Sequence, residues 1–295
     1  MTVPDRASAF SSARARRRFL TAADRAATRL WVVPVTAVDV PTSLGTVRVH
    51  RAGPAGDDPV VLLAGAGGNA LSWYPHVAAL SAHRPVLAVD PLGEPGGSTA
   101  TAPLGDGDAV GRWLVEVLAA TGARRAHLVG SSFGGWTALM AQQQDAEGRI
   151  AALTLVDPAG FAPVGGRFLR WVVLGGMAAL LPARLRRRAA RRLVNGTLLE
   201  DELLRLGIAG RGFRRRLPAP PVLTDAELAA VTVPTRLLLG ERSALHDSAE
   251  VAERVRRVAP DWDVEVVPGT GHALPLEAPE LVVDRVLGRD GDRAG

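Results

Sequence analysis

The stretch Gly130-Ser131-Ser132-Phe133-Gly134-Gly135 carries the types and spacing for nucleophilic chemistry. A serine flanked at two residues on each side by glycine, after an apolar run and before a helical one, is a nucleophile elbow. A nucleophile presented on a sharp turn needs neighbours without Cβ atoms, which explains Gly130 and Gly134. A serine in a Gly-rich turn can also be a plain helix cap. The strand signal at Ala126–Val129 and the helical run through Met140 favour the elbow. Serine is weakly nucleophilic until a base takes its proton. Gly269-Thr270-Gly271-His272 offers one, since a neutral imidazole titrates near neutral pH. Leu63-Ala64-Gly65-Ala66-Gly67-Gly68 can aim backbone N–H groups at a developing oxyanion, with the amides of Ala66 and Phe133 as candidate donors. That loop is not a phosphate-binding P-loop, because no Lys-Ser/Thr follows. It is not a dinucleotide fingerprint either, because Ala70 stands where the last glycine would fall.

These residues need a scaffold that brings strand ends together. Short apolar runs at Val60–Leu63, Pro85–Val89, Ala126–Val129, Ala151–Val156, Thr235–Leu239 and Val264–Val267 read as buried strands. Helical patterns lie between most of them, at 71–81, 109–121, 134–145 and 248–259, with a last helix at 277–287. Continuous Val/Leu/Ala strands separated by helices predict a mostly parallel sheet covered on both faces. Residues 35–40 and 46–51 predict an antiparallel hairpin with Gly45 in its turn, which makes the sheet mixed. Residues 1 to about 12 read as disordered, and 13–31 as an Arg-rich amphipathic helix. Nearly eighty residues between the strands at 151–156 and 235–239 carry no convincing strand and read as helical.

Composition narrows the partners. The 295 residues contain no cysteine, which excludes disulfides, thiolate metal sites and a cysteine nucleophile. All 35 basic residues are arginine, and the net charge is +5. Between Pro163 and Leu228, 13 Arg stand against 5 Asp and Glu, so this segment carries +8 and the rest −3. The six Trp and one Tyr do not interleave with the arginines, so nucleic acid is not expected. No apolar run reaches the roughly 20 residues of a membrane span. Arg16-Arg17-Arg18-Phe19-Leu20 superficially resembles a twin-arginine signal, but Asp24, Arg25 and Arg29 interrupt the apolar region such a signal needs. A cytoplasmic protein without stable membrane insertion is expected.

In order and spacing, four segments resemble the α/β-hydrolase superfamily, over about residues 35–288: Leu62–Asn69, Ala88–Ser98, Val129–Gly135, and Leu237–Arg242 with Val267–Glu280. The likeness is to the serine esterase-like branch. It implies an α/β-hydrolase core at 35–158 and 231–288, a helical cap inserted at 159–230, a structural role for Asp90, and no metal or organic cofactor. It implies hydrolysis of a small, hydrophobic ester through an acyl-enzyme, with Ser132 as nucleophile and His272 as base. Two positions depart from the family. Ala64 stands where a His usually precedes the glycines. Ser243, in Gly240-Glu241-Arg242-Ser243, stands where the triad acid usually lies. Asp157, at the end of the preceding strand, is favoured as the acid, and Asp247 is the other candidate, although it also suits a helix N-cap. Trp73, Tyr74 and Trp136 are candidates for the pocket wall or for plain packing. Rival readings are other acyl or C–C-bond chemistry on the same fold, perhydrolysis, or a non-catalytic scaffold with a broken triad.

Overall fold

The structure is a computed structural model that describes residues 7–289. Its central sheet is built from β1 (Thr36–Thr42), β2 (Gly45–Ala52), β3 (Val60–Leu63), β4 (Val86–Val89), β5 (Ala126–Ser131), β6 (Ile150–Val156), β7 (Thr235–Gly240) and β8 (Asp263–Val267). The spatial order is β8-β7-β6-β5-β3-β4-β2-β1. The strands from β3 onward run parallel. The β1–β2 hairpin is antiparallel and joins the sheet through β4. Gly45 turns the hairpin at φ +147, and a Cβ there would lie 2.2 Å from the Thr99 carbonyl oxygen. After β3 the chain places β4 on one side and β5 on the other. The carboxyl ends of β3 and β5 therefore border the crevice where open α/β sheets hold their ligands.

The helices are α1 (Ala13–Leu30), α2 (Tyr74–Ser81), α3 (Gly107–Thr121), α4 (Phe133–Gln144), α5 (Gly166–Ala178), α6 (Ala183–Leu193), α7 (Asp201–Ala209), α8 (Asp225–Ala229), α9 (Ser248–Val258), α10 (Leu274–Glu277) and α11 (Pro279–Val286). Side chains alternate across each strand, so both faces of β3 are buried. Val61 and Leu63 pack with Trp113, Leu114 and Trp136 on the α3–α4 side. Val60 and Leu62 pack with Trp73, Val77 and Val282 on the α2–α11 side. That two-sided burial is why these strands read as unbroken apolar runs.

Proline sets two helix boundaries that periodicity alone did not resolve. The predicted helix at 71–81 opens as a 3-10 turn, Ala70–Trp73, and becomes α-helical at Tyr74 with Pro75 in its first turn. The predicted helix at 277–287 is two pieces, because Ala278 before Pro279 adopts an extended φ of −140.

The start of the chain needs a correction. Residues 1–6 lie outside the described residues, but 7–12, expected to be disordered, are structured. Ala9–Phe10 pairs antiparallel with Phe213–Arg214, and the Arg216 amide donates to Ser8 Oγ at 2.8 Å. Phe10 meets Phe19 at 5.3 Å and Phe213 edge-on at 4.9 Å. Burial of these rings offsets the entropy of ordering the segment. Ser12 then caps α1 by accepting the Ala15 amide. Between β6 and β7, α5 to α8 occupy the stretch that read as helical, and Phe213–Arg214 is its short strand.

Candidate active site

Ser132 sits between β5 and α4 with φ 53 and ψ −118, a conformation rarely adopted by residues other than glycine. Its surroundings enforce the turn. The Ser132 amide donates to Val156, and its carbonyl accepts from Gly135 and Ala159. A Cβ on Gly130 would lie 2.3 Å from the Gly134 carbonyl oxygen, and one on Gly134 would lie 2.2 Å from that of Leu63. The two glycines are thus required by backbone-to-backbone approach.

The loop after β3 passes directly beside this serine. A Cβ on Gly65 would stand 3.1 Å from Ser132 Cβ. The Gly68 amide is committed to the Gly65 carbonyl and the Gly67 amide to Glu94, at 3.0 Å each. Ala66, between those committed positions, and Phe133, in the first turn of α4 where amides lack intrahelical acceptors, remain as the candidate donors. Glu94 is buried, and its other oxygen accepts from Arg215 Nε at 2.6 Å. Burial pushes the Glu94 carboxyl up, opposed by the Arg215 charge and hydrogen bond and by the Gly67 amide. The Arg215 guanidinium also lies 4.6 Å over the Phe133 ring.

His272 follows β8 and reaches back across the sheet ends. Its Nε2 lies 3.1 Å from Ser132 Oγ, and its Nδ1 lies 2.6 Å from Asp157 Oδ2. The tautomer that satisfies both contacts has Nδ1–H donating to the carboxylate and Nε2 accepting the serine proton. Glu277 holds the loop, accepting from the Gly271 amide at 2.6 Å and the Gly196 amide at 2.8 Å. Phe168 and Trp171 of α5 stand edge-on to the imidazole, with ring centroids at 5.1 and 5.6 Å.

Asp157 directly follows β6, at φ 46, and is fully buried. Its Oδ1 accepts the Gly240 amide at 3.0 Å, and its Oδ2 accepts the Ser243 hydroxyl at 2.6 Å as well as His272. His246 Nε2 lies 3.5 Å from Oδ1. Burial alone would raise this carboxyl. The His272 hydrogen bond and charge, with His246 and Ser243 adding to them, outweigh burial and hold it below the ordinary carboxylate range. His246 is pushed down, chiefly by its own burial.

The structure brings Ser132, His272 and Asp157 together and leaves Asp247 outside. Asp247 is exposed and caps α9, accepting the Ala249 and Glu250 amides at 3.0 and 3.2 Å. Its Oδ1 is engaged at the start of α9, the N-cap role that its residue type also suits. Trp73 and Trp136 are packing residues, each 1% exposed. Tyr74 joins α2 to the inserted helices by donating to Glu200 at 2.5 Å. Asp90 accepts the Ala70 and Gly97 amides, tying the loops after β3 and β4 to each other. Sequence reasoning missed Glu94, Arg215, His246 and Glu277, and read Ser243 only as a lost acid. Among the described residues, no group of three or more His, Asp or Glu could hold a metal ion.

Residues 60–285 match the model of the alpha/beta hydrolase family. The chain belongs to that family. Carboxylesterase YbfK of Bacillus subtilis is similar to this hydrolase, 30% identical over 287 residues that cover 92% of each chain. The uncharacterized carboxylesterase nap of the same organism is 28% identical over 88% of this chain and 87% of its own. The crystal structure of naproxen esterase from Bacillus subtilis superposes with a TM-score of 0.80 at 26% identity, covering 93% of this hydrolase and 98% of that chain. This hydrolase is therefore a carboxylesterase-like enzyme with the α/β-hydrolase fold. Among its described residues, no helix is long and apolar enough to cross a membrane.

Proposed function

We propose that this hydrolase cleaves a carboxylic ester of a small, hydrophobic substrate through an acyl-enzyme. The observation that carries the reading is the placement of the His272 ring, with Nε2 at 3.1 Å from Ser132 Oγ and Nδ1 at 2.6 Å from a buried carboxylate. Ser132 attacks the ester carbonyl while His272 takes its proton. Asp157 fixes the tautomer and stabilises the imidazolium that forms. The amides of Ala66 and Phe133 hold the oxyanion, each worth roughly 3–4 kcal/mol of transition-state stabilisation. His272 returns the proton to the leaving alcohol, then activates the water that releases the acid. The carboxylesterases to which the chain is similar support an ester as substrate.

In this reading residues 159–230 form a cap over a core of 35–158 and 231–288. Phe168 and Trp171 contribute the apolar wall beside the base. Ser243 takes part by donating to Asp157 in place of carrying the charge itself.

A fluorophosphonate probe tests the nucleophile. The wild type is labelled at Ser132 and hydrolyses p-nitrophenyl esters, and Ser132→Ala loses both while folding normally. Unlabelled wild-type protein would overturn the catalytic reading in favour of a binding scaffold. A series of acyl chain lengths then defines the substrate class.

A further inference from the structure

We propose that the outer face of α5 and α6 docks this hydrolase on an anionic lipid surface. Helix α5 meets the rest of the protein along a narrow edge, where Phe168 and Trp171 touch His272 and Gly175 and Ala178 are buried. Its other side is bare. Leu169 is 63% exposed, Val173 52%, Met177 55% and Leu180 66%. Spacings of four put Leu169, Val173 and Met177 on one helical face, and Val172, with Leu180 and Leu181 in the turn just past the helix end, widens the patch. Apolar side chains exposed singly are ordinary, but a contiguous patch marks a contact surface.

The neighbouring charge says what the contact is with. Helix α6 packs on α5 through Ala178 and Ala190 and exposes Arg184, Arg187, Arg188, Arg191 and Arg192. Among the described residues, none of these five pairs with an acid within 4.0 Å; Arg186 is the α6 arginine that does, with Asp201. A second copy fits badly, because a two-fold contact through this face would bring like-charged helices together. A lipid interface satisfies both halves of the surface. Leucine and methionine enter the acyl boundary, while arginines lie at headgroup depth and donate to phosphate. With 13 residues, α5 falls short of the roughly 20 needed to cross a bilayer, so it lies in the plane of the interface.

The test is flotation of the full chain with unilamellar vesicles of phosphatidylcholine, with and without phosphatidylglycerol, at about 10 and about 150 mM salt. Binding is expected on the anionic vesicles and should weaken as the Debye length shrinks from about 30 to about 8 Å. Arg187→Glu with Arg188→Glu should lower binding on the order of 20-fold. Leu169→Glu with Leu180→Glu should lower it at least as much, and both variants should keep wild-type circular dichroism. The readout is binding alone, so it stands apart from the esterase reading. Absent binding at low salt, equal binding to uncharged vesicles, or loss in only one of the two variants would overturn the proposal. So would a dimer in sedimentation that the leucine variant disperses, which would assign the face to a second copy.

Discussion

Replacing Asp157 by Asn changes one atom and tests the whole relay. The carboxylate accepts three hydrogen bonds, from the Gly240 amide at Oδ1 and from Ser243 and His272 at Oδ2. If the new amide keeps its oxygen on Gly240, its NH2 group faces two donors. The Ser243 hydroxyl can turn, because it already accepts the Leu245 amide at 3.1 Å. His272 can answer only by presenting a bare Nδ1, which moves its proton to Nε2, against Ser132 Oγ. The base is then blocked. The flipped amide would keep the tautomer but face its NH2 to the Gly240 N–H, leaving buried donors unmatched at about 1–3 kcal/mol. The expected loss in kcat is therefore about 10⁴, or about 5.4 kcal/mol of barrier, with folding preserved. The assay is p-nitrophenyl ester hydrolysis, normalised by titrating reactive serine. Ser243→Asp supplies the discriminating second step. In the wild-type background it sets a second carboxyl against a buried carboxylate, so one of the pair must take a proton and activity falls. In the Asp157→Asn background it restores the missing charge and part of the rate. A loss under tenfold in Asp157→Asn would refute the assignment of the acid.

Three further outcomes follow from the same geometry. Asp247→Ala should cost about 1 kcal/mol in urea melts as a lost cap and leave kcat unchanged; a large fall in kcat would return Asp247 to the site. Ser132→Gly should melt higher than Ser132→Ala, because the strained φ of 53 costs of order 1–3 kcal/mol in a residue with a Cβ; equal melting would mean the elbow is unstrained. Burial holds His76 and His127 at about 4, whereas an unfolded His titrates near 6.5. Between those values the unfolded chain binds more protons, so stability should be flat above about pH 7 and fall by about 1.4 kcal/mol per unit per histidine as pH drops from about 6.5 to about 4. Urea melts at about pH 7.5 and 5 check this, and equal midpoints would refute it.

The parts that sequence reveals are those specified locally. The elbow could be read because its glycines are demanded by contacts within six residues or with one neighbouring strand. The sheet could be read because burial on both faces writes itself as unbroken apolar runs. Asp157 is favoured over Asp247 by sequence but not separated from it, because the choice depends on where β6, β7 and the loop after β8 converge, 83 to 115 positions apart. Glu94 and Arg215 are separated by 121 positions, and neither has a local signal. The order of residues 7–12 depends on Phe213–Arg214, about two hundred residues away. Ser243 shows the subtler limit. Its residue type announces a missing charge, and only the geometry shows its hydroxyl donating to the buried Asp157 carboxylate.

The clasp between Ala9–Phe10 and Phe213–Arg214 also has a mechanical meaning. Arg215 is the next residue after that short ladder, and it grips Glu94, which in turn holds the Gly67 amide in the loop whose Gly65 lies beside the nucleophile. Tension applied at the start of the chain is borne first by a two-residue zipper and not by the central sheet. The first element to yield under such a load is thus one tethered, link by link, to the loop that flanks Ser132. An immobilisation handle at the N-terminus loads this tether, while one at the other end of the chain leaves it slack.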